Sequence, residues 1–122
     1  MQNGGKEFDL RQRTKGFPLR VIRLCSSLPA DEESRVMRRQ LMRCGTSVGA
    51  QYREACRARS PAEFRSKLRA ALQELDESTY WFELLVESEK VAKAKLADLM
   101  QEGDELIAIF VSSIKTSESG SP

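Results

Sequence analysis

Histidine is absent from this chain of 122 residues. Its absence excludes nucleophilic sites built on Ser–His or Cys–His pairs, and it excludes metal centres that need imidazole ligands. Cysteine is scarce: Cys25, Cys44 and Cys56 form no CxxC motif and are odd in number. This pattern favours a reducing compartment over a secreted fold held by disulfides.

Long apolar runs are also missing. The first ten residues contain no apolar signal-peptide segment, and the longest apolar run extends only from Leu106 to Val111. A membrane-spanning helix needs about 20 apolar residues. We therefore expect a cytoplasmic protein that makes no membrane contact. At this length one domain with its own hydrophobic core is expected, without help from metals or disulfides.

Charge is abundant and unevenly divided. Residues 1–60 carry 13 basic and 6 acidic side chains, whereas residues 61–122 carry 7 basic and 12 acidic ones. A basic half can bind nucleic acid, and it can equally bind the acidic half of a neighbouring copy. The polar segment 1–14 and the Ser/Gly/Pro-rich tail 117–122 are expected to be flexible, which places the folded domain at 15–116.

The spacing of apolar residues predicts four helices and no strands. The first is short, runs from about Phe17 to Leu28 and ends before Pro29; the others cover about 33–58, 61–88 and 94–115. A turn is needed near 89–93, because one helix over 61–115 would be roughly 80 Å long and would leave its apolar stripe uncovered. We therefore predict an all-α, up-and-down antiparallel four-helix bundle.

Five arginines recur at helical spacing on the second predicted helix, roughly opposite its apolar face. They are Arg35, Arg39, Arg43, Arg53 and Arg57. Guanidinium groups at this spacing can contact successive phosphates without reading base sequence, so the stripe is a candidate site for RNA or DNA. A solvated face with some ion pairs explains the same pattern, and no phosphate loop, zinc knuckle or interleaved aromatic residue strengthens the first interpretation.

A polar seam is predicted between the apolar face and the arginines, opposite carboxylates of the third helix. Its members are Gln40, Ser47, Gln51, Glu54, Glu74 and Glu77. Buried polar groups need partners, so we expect a buried hydrogen-bond network here. A carboxylate-based enzyme or metal site using Glu54, Glu74 and Glu77 is the remote alternative, since bundle di-metal sites need Glu-x-x-His pairs.

The third predicted helix has a second apolar surface, formed by Tyr80, Trp81 and Leu84. One bundle cannot cover both sides of a helix, and exposed aromatic clusters commonly anchor protein interfaces. We therefore expect contact with further copies of the chain at this surface. Gly45 and Gly49 permit close approach of two helices, either within the subunit or between subunits.

Three stretches resemble the bacterial 23S rRNA intervening-sequence protein family. The string RQLMRCGTSVGAQYREA over 39–55, followed by Ala58-Arg59-Ser60 and Phe64, is similar to the family's signature. Residues 74–85 resemble its E-x-x-E-x-x-x-W-x-E-L-L region, and residues 104–111 resemble its last helix. One departure is visible, because the family's usual Asn in the N-Y-R-E-A stretch is Gln51 here.

This resemblance implies a four-helix bundle that assembles as a ring, typically a homopentamer, without catalytic activity, metal or cofactor. The related accessory variability determinant of diversity-generating retroelements binds nucleic acid and a reverse transcriptase. By that relation, nucleic acid and a nucleic-acid-processing protein are hypothetical partners of this chain, with the five arginines as the binding residues. The alternative is a protein-interaction scaffold in which the same arginines pair with acidic residues of adjacent subunits.

Overall fold

The computed structural model describes the backbone of residues 2–120 and the side chains of residues 9–120. Four helices follow one another: α1 Gln2–Ser26, α2 Glu32–Cys56, α3 Pro61–Glu87 and α4 Lys93–Glu118. The described part of the chain contains no strand. Helices adjacent in sequence pack against each other, and α1 also contacts α4 over a shorter stretch. The predicted all-α four-helix bundle is confirmed.

The helix starts follow from capping side chains. Asp31 accepts a hydrogen bond from the Ser34 backbone N–H at 2.8 Å and so caps α2. Ser60 caps α3 by accepting from the Glu63 N–H at 3.1 Å, and Glu63 in turn accepts from the Arg59 N–H at 2.8 Å. The start predicted for α3 is therefore confirmed. In the usual capping box the glutamate accepts from the N–H of the capping residue itself, whereas here Glu63 accepts from the N–H of Arg59, one residue before the cap.

The turn between α3 and α4 is where sequence signals are weakest. Glu89 adopts φ 63°, in the left-handed region that usually favours glycine. Two hydrogen bonds compensate, since the Lys90 and Val91 N–H groups donate to the Leu85 carbonyl at 3.0 and 3.3 Å. The Lys90 ammonium also lies 3.3 Å from Asp31 and 3.1 Å from Glu33, which ties this turn to the start of α2.

The hydrophobic core lies along the axis of the bundle. The apolar residues that recur every three or four positions along α2 form its core face, and all are buried: Met37, Leu41, Cys44, Val48, Tyr52 and Ala55. Tyr52 stacks on Phe110 with ring centroids 5.8 Å apart, and Phe17 meets Phe82 edge to face at 6.1 Å. On α3, by contrast, Phe64 and Val86 are only half-buried.

Helix α1 is longer than predicted. It begins at Gln2 and takes in most of the segment that the sequence analysis expects to be flexible. Thr14 is buried, and Arg13 pairs with Glu102 of α4 at 2.7 Å and with Glu105 at 2.8 Å. These contacts order a polar helical segment that apolar spacing cannot detect. At the other end α4 continues to Glu118, and the predicted tail at 121–122 lies outside the described residues.

Helix α1 lies very close to α2 because α2 has two glycines at the crossing. A Cβ on Gly45 would stand 2.9 Å from the Val21 side chain, and one on Gly49 would stand 2.5 Å from the Thr14 carbonyl oxygen. That carbonyl lacks its usual helical donor, because Pro18, four residues later, has no N–H. Close packing inside the subunit therefore accounts for both glycines.

The turn from α1 to α2 is held by Arg38, a half-buried residue. Its guanidinium donates to the carbonyls of Cys25, Leu28 and Pro29 at 3.0, 3.2 and 2.9 Å. These carbonyls lie at and beyond the end of α1, where backbone acceptors have no helical partner. Arg38 therefore acts as a C-terminal cap for α1 and is not available to a ligand.

Candidate nucleic-acid interface

The five arginines predicted to form one stripe are all exposed: four lie on α2, and Arg57 is the residue that follows its last turn. Their surroundings differ. Arg43 donates to the Glu77 carboxylate at 2.6 Å and lies 3.9 Å from Glu74, both on α3. Arg35 pairs with Glu32, one turn earlier on the same helix, at 2.8 Å. Arg39, Arg53 and Arg57 have no hydrogen-bond or ion-pair partner among residues 9–120.

Arg43 therefore belongs to a different cluster from its neighbours in the stripe. One oxygen of Glu77 accepts from Arg43 at 2.6 Å and from the Trp81 indole N–H at 3.2 Å. The hydrogen bond to Glu77 raises the pKa of Arg43, and partial burial raises the pKa of Glu74. A guanidinium that donates to a carboxylate is already neutralised by it, so it attracts a phosphate less strongly. The structure thus separates Arg43 from the unpaired Arg39, Arg53 and Arg57.

Helix α1 adds two cations that sequence reasoning missed. Arg11 and Lys15 are exposed, one turn apart, and no partner for either lies within the described residues. Lys15 and Arg53 line opposite sides of a shallow groove of about 300 Å³ between α1 and α2. Arg11 lies in the segment 1–14 that was expected to be flexible, and Lys15 precedes the first predicted helix, so neither was assigned to a helix face. The signal that could have revealed them is their spacing of four residues.

We call the exposed, unpaired cations on this side of the bundle the basic face. It consists of Arg11 and Lys15 on α1, Arg39 and Arg53 on α2, and Arg57 just beyond the end of α2. Its position depends on the glycines of α2, since they allow α1 to approach until Lys15 and Arg53 border the same groove. Among residues 9–120, no acidic side chain lines that groove.

The predicted buried polar network is corrected in one respect: none of its six members is buried. Glu54 is exposed and pairs with Lys67 of α3 at 2.8 Å, while Ser47 donates to the Arg43 carbonyl at 2.7 Å. Gln40 accepts from Arg43 at 3.4 Å, and Gln51 has no partner among residues 9–120. The seam follows the outer edge of the crevice between α2 and α3, where water reaches it, and it divides into two separate groups of ion pairs.

The three residues predicted to contact other subunits lie on the surface of α3. Tyr80 is 53% exposed, whereas Trp81 and Leu84 are half-buried against the core. The Tyr80 and Trp81 rings meet edge to face with centroids 5.2 Å apart. We call these three residues the aromatic patch. Neither ring lies in the groove of the basic face.

The described residues contain no cluster of three or more Cys, Asp or Glu side chains that could hold a metal ion. The carboxylates singled out for metal or acid–base chemistry are divided between cations, since Glu54 pairs with Lys67 and Glu77 pairs with Arg43. The cysteines are free, and burial raises the pKa of Cys25 to about 11. Nor does any helix, over its described residues, combine the length and hydropathy needed to cross a bilayer.

A larger groove, of about 1000 Å³, opens at the end of the bundle where α1 diverges from α4. Its apolar lining includes Leu10, Phe64 and Ile109, and Arg59 and Asp9 stand at its rim. The stacked Tyr52 and Phe110 rings belong to the same lining. Ser60, Ser112 and Ser113 also line this groove.

Comparison with known proteins decides the family. The model of the 23S rRNA-intervening sequence protein family matches residues 6–112. The chain belongs to this family. A solved structure described as a protein with unknown function from the S23 ribosomal protein family of Bacteroides thetaiotaomicron VPI-5482 is 34% identical to it. The match covers 86% of this chain and 97% of that one, with a TM-score of 0.81. No curated protein matches the chain.

Membership of the 23S rRNA-intervening sequence protein family agrees with the geometry described above. The matched range contains all of α2 and α3 and most of α4. It therefore includes every residue of the basic face and of the aromatic patch. The family resemblance seen in the sequence is confirmed over this range.

Proposed function

We propose that this protein is a non-enzymatic four-helix bundle that forms a ring and binds RNA or DNA through its basic face. The observation that carries the proposal is the set of unpaired cations at the surface of α1 and α2. Arginine and lysine side chains without carboxylate partners are free to displace counterions from a phosphate backbone. The face presents no acceptor side chains arranged to read base edges, so weak sequence specificity is expected.

The ring is proposed from the aromatic patch. A Tyr ring that is 53% exposed and packed on a half-buried Trp is the kind of group that anchors an interface between subunits. The patch lies on α3, away from the basic face, so one surface can hold a neighbour while the other meets nucleic acid. Five subunits is the number that the family resemblance implies.

Two further parts of the proposal concern cellular context. We place the protein in the cytoplasm, in keeping with three cysteines that are all free. The likeness to the accessory variability determinant adds a nucleic-acid-processing protein as a proposed partner. Neither point depends on the ring.

Filter binding against increasing salt tests the binding proposal. The variant Arg53→Glu, Arg57→Glu is expected to lose at least about tenfold in affinity for RNA and DNA at low salt. Lys93→Glu, Lys95→Glu is the matched control, because it makes the same change in net charge at exposed positions of α4. Absence of binding by the unmodified protein at low salt, or equal loss in both variants, would remove the proposal.

A specific observation also favours the scaffold alternative. Asp76, Glu83 and Glu87 share the outer side of α3 with Tyr80, and all three are exposed without partners among the described residues. A head-to-tail contact between this acidic side and the basic face of the next copy would close a ring. In that case Arg53→Glu, Arg57→Glu dissociates the ring, and adding Glu83→Arg, Glu87→Arg restores it. Light scattering gives the mass in each case.

A further inference from the structure

Trp81 is the only tryptophan of the chain and the largest side chain of the aromatic patch. Its ring is half-buried against the core, and the exposed Tyr80 ring meets it edge to face at 5.2 Å. An indole ring in such a position has one polar atom, the Nε1–H donor, which needs an acceptor where water is partly excluded. The direction in which the indole points therefore depends on where that acceptor lies.

Glu77 supplies the acceptor from one turn earlier on α3. Its Oε2 atom accepts from the Trp81 Nε1–H at 3.2 Å. The same oxygen accepts from the guanidinium of Arg43 at 2.6 Å, and Arg43 lies on α2, 34 residues away in sequence. A glutamate side chain that faces only water moves among many rotamers. Here groups from two helices hold the carboxylate, so the acceptor for the indole has a fixed position.

The stability of the fold does not account for this arrangement. Arg43 is exposed, and exposed ion pairs stabilise a fold only slightly. The carboxylate of Glu74 lies 3.9 Å from the same guanidinium, yet none of the hydrogen bonds among the described residues joins it to Trp81. The feature that distinguishes Glu77 from Glu74 is therefore its bond to the indole.

We propose that Glu77 is a positioning residue of the aromatic patch, one that holds the Trp81 indole in the orientation that a neighbouring copy of the chain contacts. This inference rests on the proposed ring. Tryptophan is among the residues that contribute most to binding at interfaces, and a side chain already fixed in its bound orientation loses less conformational freedom on association. Arg43 restrains the carboxylate from α2, so this arginine serves the aromatic patch and not the basic face.

A double-mutant cycle on subunit association tests the inference, with light scattering over a range of protein concentrations as the measurement. Glu77→Ala is expected to weaken association at least about tenfold. Trp81→Phe keeps an aromatic ring but removes the N–H donor. In the Trp81→Phe background, Glu77→Ala should then weaken association by no more than about twofold, because the group that Glu77 holds is gone.

Two further variants separate the hydrogen bond from the charge. Glu77→Gln is neutral but retains an oxygen that can accept from the indole, so we expect it to recover most of the affinity between subunits that Glu77→Ala loses. Glu74→Ala is the matched control, since it removes a carboxylate one turn away beside the same arginine, and it should change association by less than about twofold. The urea midpoint of each variant shows that it is folded under the conditions of the measurement.

The two proposals fail differently. An unmodified protein that stays monomeric at high concentration overturns the proposed ring, and the positioning role falls with it. If the ring forms, three results each overturn the role of Glu77 and leave the ring standing. They are no effect of Glu77→Ala, an equal effect of Glu77→Ala with and without Trp81→Phe, and an equal effect of Glu77→Gln and Glu77→Ala.

Discussion

Helix α2 has two flanks that look alike in sequence and differ in the folded chain. On the flank toward α3, Arg43 is paired with Glu77, and Glu54 is paired with Lys67. On the flank toward α1, Arg53 has no partner among the described residues and shares a groove with Lys15. Each flank carries an arginine of the predicted stripe, yet only the one toward α1 is unpaired among the described residues.

The neighbouring helix makes the difference. Helix α3 brings Glu74 and Glu77 to the crevice, so it neutralises the arginine that reaches it. Helix α1 brings Arg11 and Lys15, so it adds charge of the same sign. A stripe of arginines is therefore not yet a basic surface, because the charges of the adjacent helices decide which members stay free.

The largest effect on stability is expected from Gly49→Ala, which disturbs the contact between α2 and α1. The added Cβ would meet the Thr14 carbonyl at 2.5 Å and force α1 away from α2. Overpacking of this kind lowers the free energy of unfolding by about 1–3 kcal/mol. Because the added atom meets backbone, which cannot move aside as a flexible side chain can, we expect a loss of about 3 kcal/mol. Thermal unfolding measures this loss of stability.

Gly16→Ala is the matched control for that experiment. A Cβ at Gly16 meets nothing within 4 Å, and replacing a helical glycine by alanine stabilises by about 0.5–1 kcal/mol. Unchanged stability in Gly49→Ala would contradict the close crossing on which the position of Lys15 beside Arg53 depends.

The next largest effect is expected from Arg13→Gln, which loosens α1 from α4. Arg13 makes a bidentate contact with Glu102, with bonds of 2.9 and 2.7 Å, and both side chains are partly buried. Removing a charged partner here should cost about 1–2 kcal/mol in the free energy of unfolding. Arg11→Gln, an exposed change nearby, should cost almost nothing. Urea denaturation compares the two, and equal midpoints would show that Arg13 does not anchor α1.

A direct comparison of the flanks uses Arg43→Gln and Arg53→Gln. Arg43→Gln should lower stability slightly, because it breaks an exposed ion pair, and it should change nucleic-acid affinity little. Arg53→Gln should leave stability unchanged and weaken binding about threefold. The two variants are measured in parallel by urea denaturation and filter binding. If Arg43→Gln weakens binding as much as Arg53→Gln does, the flanks do not differ in the way described.

The smallest effects are expected in the pH dependence of stability. Hydrogen bonds from Gln101 and Arg13 lower the pKa of Glu105 below its ordinary 4.5, so its contribution is present above that pH and is lost in more acidic solution. Burial raises the pKa of Glu74, so ionising this group opposes folding as pH rises past 4.5.

Two variants separate these opposite signs. Between acidic and neutral pH, Glu105→Gln should remove part of the rise in stability, whereas Glu74→Gln should enlarge that rise. Chemical denaturation at several pH values tests this. The same direction of change in both variants would contradict the assignment.

Several features were predictable because they depend on residues near one another in sequence. The core face of α2 follows from apolar positions that recur every three or four residues, and all six are buried. The start of α3 follows from Ser60, Pro61 and Glu63, which act within a single turn. The family was recognisable from the 39–55 string and the 74–85 region, both inside the matched range.

Other features were not predictable from local patterns. The first fourteen residues look polar and unstructured, yet Arg13 gains partners on α4 that lie about ninety residues away, and Thr14 is covered by the bundle. The turn at Glu89 carries no glycine, because its strain is compensated by bonds to the Leu85 carbonyl and by the contact of Lys90 with α2.

The sequence by itself determined four helices and the core face of α2, because helical periodicity and capping act over a few residues, and its motifs determined the family. Only the tertiary structure decided which cations stay free. Arg43 and Arg53 are the same residue type on the same helix, but one faces the carboxylates of α3 and the other faces the lysine of α1. Charge pairing between helices depends on which side chains the packing brings within a few ångströms, and the order of residues along one helix does not contain that information.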